Sequence, residues 1–126
     1  MKVETIFRPG VVSAHVDENL KSAATRMRAE DISALAVVEA GSLVGILTER
    51  DLVQAIADGA DPEVTPVASY ASFRPAAAEP DEDIRDVAAR MLELGVRHLP
   101  VVRGTDILGM ISARDLLAHE TWRPRS

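Results

Sequence analysis

Gly45-Ile46-Leu47-Thr48-Glu49-Arg50-Asp51 returns sixty-four residues later as Gly109-Met110-Ile111-Ser112-Ala113-Arg114-Asp115. In each copy a glycine sits inside an apolar run with the character of a buried strand. A hydroxyl residue ends the run, and an aspartate follows three positions on as a helix begins. This pattern gathers a hydroxyl, the free N–H groups of a helix's first turn and a carboxylate in one place. Such a cluster can hold a phosphate on the N–H groups and a sugar hydroxyl on the carboxylate. The same residues also spell a capping box, in which hydroxyl and acid satisfy the helix start without any ligand; the two roles can coexist.

Outward from these stretches, residues 17–52 lie over residues 81–116 without a gap, and twelve of the thirty-six pairs are identical. Met27 matches Met91, Leu35 matches Leu99, Val37-Val38 matches Val101-Val102, and the register extends weakly back to Val3 and Val67. Two copies of this length are too few and too long for a solenoid, so they point to a pseudo-twofold pair.

Each copy changes period in the same order. Val11 to Val16 reads as a short strand; Asp17 is a good N-cap, with Glu18 in the first helical turn. Leu20, Ala23, Ala24 and Met27 then share one helix face, and Ile84, Val87, Ala88 and Met91 repeat that stripe as core residues. These helices end near Asp31 and at Gly95. Two apolar runs follow, Leu35 to Val38 and Leu43 to Leu47, joined by the turn residues Glu39-Ala40-Gly41-Ser42. The second copy has Leu99 to Val102 and Ile107 to Ile111 around Arg103-Gly104-Thr105-Asp106. A last helix starts at each hydroxyl residue and runs toward Asp58-Gly59 or His119. The order is strand, helix, strand, strand, helix, an α/β arrangement of the α+β kind. The chain divides into a first repeat at 1–60, a connector at 61–66 within a stretch marked by Gly59, Pro62 and Pro66, a second repeat at 67–120, and a tail at 121–126 that looks frayed.

Composition narrows the function classes. The 126 residues suffice for an ordinary domain with a real core and no disulfide or metal. Hydrophobic residues make up 47%, but aromatics only 3%, which leaves few platforms for stacking bases. A net charge of −6 with no basic run argues against nucleic acid as a partner. No cysteine is present, which excludes a disulfide framework, a thiolate metal site and a cysteine nucleophile. No signal-peptide core and no apolar run long enough to span a membrane appear, so a soluble cytoplasmic protein without membrane contact is expected. There is no nucleophile with a plausible base, no metal-ligand spacing and no Walker-type loop. The expectation is binding without turnover: no enzyme, no catalytic residue, no metal and no required cofactor. His15 and His119 have no evident partners and read as surface residues.

The chain resembles the tandem CBS-domain pair, also called a Bateman module, over nearly its whole length. The resemblance rests on the element order, the duplication, the Gly-x-x-Thr/Ser-x-x-Asp element in each copy, and the run Val96-Arg97-His98-Leu99-Pro100-Val101. It implies two CBS repeats packed as a pseudo-twofold intramolecular pair that binds AMP, ADP or ATP in clefts between the copies. It further implies that the chain signals energy state to an associated, regulated protein and forms a homodimer. In the first implied cleft Ser112 and Asp115 hold phosphate and ribose, respectively, Ile32-Ser33-Ala34 of the other copy face the adenine, and Arg97 and His98 close on the phosphate side. In the second, Thr48 and Asp51 play the same parts, with Val96 and Arg97 near the base. Arg50 and Arg114 stand beside the carboxylates, and Ala34, Ala36 and Ala76-Ala77-Ala78 are small enough to leave a purine slot. Many members carry threonine in the first strand of each copy; Ser13 stands there in one copy here, and Ala77 in the other, which loses the hydroxyl. The rival reading is a ligand-free scaffold that dimerises through its helices with Leu52, Val53, Ile56, Leu116 and Leu117.

Overall fold

A computed structural model describes residues 1–121, with side-chain surroundings defined as far as His119; the expected frayed segment Trp122-Arg123-Pro124-Arg125-Ser126 lies outside them. In chain order the elements are a 3-10 turn at Val3–Thr5, β1 (Arg8–Pro9), β2 (Ser13–His15), α1 (Leu20–Glu30), β3 (Ala34–Glu39), β4 (Ser42–Thr48), α2 (Glu49–Ala57), a second 3-10 turn at Val67–Ser69, β5 (Ser72–Phe73), α3 (Ile84–Leu94), β6 (His98–Arg103), β7 (Asp106–Ser112) and α4 (Ala113–Thr121). The expected order holds in full for the first copy and, apart from its first strand, for the second, with one short extra strand ahead of each copy.

Two compact units result, one of residues 12–75 and one of residues 1–11 with 76 onward. The first holds a four-stranded sheet in the order β2-β3-β4-β5, the second a three-stranded sheet in the order β1-β7-β6. The repeats read from the sequence and these units are cut at different places. By the sixty-four-residue register, residues 65–75 match residues 1–11, yet each leading segment packs with the body of the other repeat. Val67 is fully buried among Leu20, Met27, Leu35 and Leu47, and Val3 is fully buried among Ile84, Met91, Leu99 and Ile111. The backbone bonds are equally matched: Val67 N–H donates to Glu18 O at 2.7 Å, and Val3 N–H to Glu82 O at 2.9 Å. The connector is therefore stitched down, since Thr65 O and Pro62 O also accept from Leu20 and Lys21 N–H, both at 3.0 Å.

The two signature glycines explain how the leading segments reach the sheet. A Cβ on Gly45 would stand 2.7 Å from Ser72 O of β5, and one on Gly109 would stand 2.0 Å from Arg8 O of β1. Only a residue with no side chain lets those carbonyls approach.

Several local expectations are corrected. Asp17 does not cap α1; Asn19 does, its side-chain oxygen accepting from Ser22 N–H at 2.8 Å, and the helix starts at Leu20. Glu18 precedes the helix rather than sitting in its first turn, because its carboxylate is taken by Arg26. The first strand of the second copy shrinks to one bridge, Ala78 with Val101. In the first copy Val16 N–H reaches Val38 O at 3.2 Å, whereas Pro80, at the matching place, has no N–H to give. Ala36 and Ala78 are buried at 1% and 0% exposure, so neither lines an opening. Leu116 belongs to the core of its unit, and Leu52 is partly buried against the core of the other. Met27 and Met91 are core residues as expected, and Asp31 and Gly95 end their helices in the left-handed conformation.

Candidate functional site

Both hydroxyl–acid turns are built as capping boxes. Asp51 Oδ2 accepts from Thr48 N–H at 2.8 Å and from the Thr48 hydroxyl at 3.1 Å. At the matching turn, Asp115 Oδ2 accepts from Ser112 N–H at 3.0 Å, while Asp115 N–H donates to Ser112 Oγ, also at 3.0 Å. The capping function is real, and it consumes one oxygen of each carboxylate. What remains differs. Asp115 Oδ1 accepts from Arg8 Nε at 3.3 Å, whereas among the described residues nothing is bonded to Asp51 Oδ1.

Each turn is anchored to the strand that runs antiparallel to it. Thr48 is in register with Ala34, and Glu49 N–H donates to Ser33 O at 3.1 Å. In the other unit Ser112 is in register with His98, and Ala113 N–H donates to Arg97 O at 2.7 Å. Ser33 and Ala34 therefore sit with Thr48 and Asp51 in one unit, and Arg97 and His98 with Ser112 and Asp115 in the other. Arg50, Arg114 and Arg97 are exposed. Ile32 is half-buried against the core of its unit. Ser13 is in register with Ala36, two strand positions from Ala34.

A pair of ionic clamps was not foreseen. Arg26 grips Glu18 through both terminal nitrogens and also donates to Ser13 O at 2.7 Å. Sixty-four residues on, Arg90 does the same to Glu82 and donates to Ala77 O at 2.8 Å. These hydrogen bonds from Arg26, with Ser22 and the His15 N–H assisting, hold the Glu18 carboxyl down to about 2; Arg90 lowers Glu82 in the same direction. The sequence signal for them is the duplicated eight-residue spacing of Glu18 and Arg26, and of Glu82 and Arg90. The clamps fix the entry to α1 and α3 and lie away from the capping turns in sequence. His15 is exposed but not solitary, as its Nδ1 accepts from Asp17 N–H at 3.2 Å. Among the described residues no group of three or more His, Cys, Asp or Glu is placed to hold a metal ion, and no helix is long and apolar enough to cross a membrane.

Two sheet-and-helix units, each presenting a hydroxyl and a carboxylate at a helix start, define a tandem-repeat module. The chain belongs to the CBS domain family, which it matches over residues 3–58 and again over 67–120. It is 29% identical over 111 residues to the CBS domain-containing protein YhcV of Bacillus subtilis, covering 87% of this chain and 79% of that one. It is 30% identical over 116 residues to Hypoxic response protein 1 of Mycobacterium tuberculosis, covering 90% of this chain and 81% of that one. In fold it is similar to the CBS domain pair of protein MJ0100, solved in complex with 5'-methylthioadenosine and S-adenosyl-L-methionine, with a TM-score of 0.89 at 24% identity and 96% of both chains covered.

Proposed function

We propose that this chain is a regulatory CBS-pair module that binds an adenosine nucleotide, AMP, ADP or ATP, and passes the energy state on to a partner protein. The observation that carries the reading is the Thr48–Asp51 turn, where the cap uses one carboxylate oxygen and, among the described residues, nothing is bonded to the other. A vicinal diol donates two hydrogen bonds, which an ionised carboxylate can accept. Thr48 and Ser112, at the positive ends of α2 and α4, receive phosphate; Arg50, Arg114 and Arg97 add positive charge, and His98 closes on the same side. Ser33 and Ala34, with Ile32 behind them, meet the adenine, and Ser13 supplies a further polar contact. The ligands of the MJ0100 pair support an adenosine core, and because both carry a modified 5' position without phosphate, they belong in the test.

Calorimetric titration with AMP, ADP, ATP, 5'-methylthioadenosine and S-adenosylmethionine decides the reading. Binding of at least one nucleotide is expected, together with a nucleotide-dependent rise in melting temperature that Asp51→Ala combined with Asp115→Ala removes. Silence from all five at millimolar concentration overturns it. Nucleotides can shift the partner's affinity only through contacts that differ between two states, so AMP and ATP must differ in effect if phosphate number is sensed.

A second reading, a pairing scaffold without ligand, is favoured by the exposure of Val53 (65%), Ile56 (78%) and Leu117 (67%) on α2 and α4. A homodimer seated on these residues fits either reading. Sedimentation of Val53→Glu/Ile56→Glu tests it: the variant is expected to be monomeric, and an unchanged species excludes α2.

A further inference from the structure

Superposing the repeats in sequence register shows that the two turns carry different charge. Position 8 is arginine where 72 is serine, 97 is arginine where 33 is serine, 98 is histidine where 34 is alanine, and only 114 and 50 agree as arginine. The Ser112–Asp115 turn thus has two more arginines about it than the Thr48–Asp51 turn. One of them is engaged: Arg8, held in β1 opposite Met110, lays Nε 3.3 Å from Asp115 Oδ1, with the Asp115 side chain 13% exposed and the Arg8 side chain 62% exposed. In the other unit the carboxylate has no such partner among the described residues, and β5 offers Ser72 opposite Ile46.

We propose, resting on the function above, that Arg8 is a specificity-determining residue that makes the Ser112–Asp115 turn selective for phosphorylated ribosides, while the Thr48–Asp51 turn takes neutral ones as readily. A diol reaching Asp115 must share or displace the guanidinium. An uncharged riboside offers that guanidinium nothing in return. A phosphorylated one re-pairs it, at a helix start where the first-turn N–H groups already favour an anion. At Asp51 a diol finds an unbonded oxygen, so phosphate adds less. The side chain of Arg8 is exposed enough to turn from one anion to the other without disturbing β1, whose hold on β7 is through the backbone.

The test is calorimetry with AMP and adenosine on the full chain in about 0.15 M salt. Asp51→Asn leaves only the Asp115 turn and Asp115→Asn only the Asp51 turn. The ratio of AMP to adenosine affinity is expected to be at least about tenfold in Asp51→Asn and within about threefold in Asp115→Asn. Adding Arg8→Ala to Asp51→Asn is expected to shrink that ratio about fivefold, through weaker AMP and stronger adenosine binding; Arg8→Gln, which keeps most of the stem, should do the same. An unchanged ratio in both Arg8 variants, or equal ratios at the two turns, overturns the proposal while leaving the nucleotide-binding function intact. No binding of either probe by the wild-type chain overturns both.

Discussion

The Glu18–Arg26 clamp gives the sharpest energetic test of how the helices are held. Glu18 accepts from both terminal nitrogens of Arg26, from the Ser22 hydroxyl at 2.7 Å and from His15 N–H at 2.9 Å. Its carboxyl is lowered from 4.5 to about 2, chiefly by the Arg26 hydrogen bonds. A shift of that size favours the folded, charged form by up to about 3 kcal/mol, and with the side chain 24% exposed about 2 kcal/mol is the working figure. The folded-state value is below the unfolded one, so this stability is complete above about pH 4.5 and disappears as pH falls through about 2. Glu18→Gln is therefore expected to lose about 2 kcal/mol at pH 7, or roughly 8 °C in melting temperature. The gap from wild type should close as the pH is lowered toward 2. Glu82→Gln should cost less, because Glu82 lacks a serine partner: Asp86 stands where Ser22 does, and among the described residues only Arg90 and Glu79 N–H donate to it. Urea unfolding across pH 2–7 measures both. A Glu18→Gln penalty that does not vary with pH, or one smaller than that of Glu82→Gln, would refute the assignment of the stability to the charged clamp.

Gly109→Ala should cost about 3 kcal/mol or free β1 from β7, because its Cβ meets Arg8 O at 2.0 Å; Gly45→Ala, with 2.7 Å to Ser72 O, should cost less, and hydrogen exchange at the Gly10 and Arg74 amides reads the two detachments. Val3→Ala and Val67→Ala should each lose about 2 kcal/mol and expose their leading segments to protease, since both side chains are fully buried in the cores. Arg74, at φ 53 where the matching Gly10 has φ 89, and Ala40, at φ 51 in the β3–β4 turn, are both in the left-handed region. Arg74→Gly and Ala40→Asn should each raise stability by about 0.5–1 kcal/mol in thermal melts.

Where a reading depended on neighbours in the chain, the sequence alone was sufficient. The duplication, the hydrophobic stripes of α1 and α3, the hairpins at Ala40-Gly41 and Gly104-Thr105, and the hydroxyl–acid caps of α2 and α4 all follow from contacts three or four residues apart or from a two-residue turn. The same locality misled at Asp17, which has capping chemistry as good as Asn19's but not the Arg26 that draws Glu18 out of the helix. Only the tertiary structure decided that each leading segment packs with the other repeat's body, that Gly45 and Gly109 exist to admit a foreign carbonyl, and that Arg8 bonds Asp115, 107 residues away, while among the described residues no arginine bonds Asp51. Pattern and propensity carry no information about which distant strand arrives at an edge. That choice is made by burial of Val3 and Val67 in cores assembled from the whole chain, and with it the two otherwise matching turns become chemically unequal.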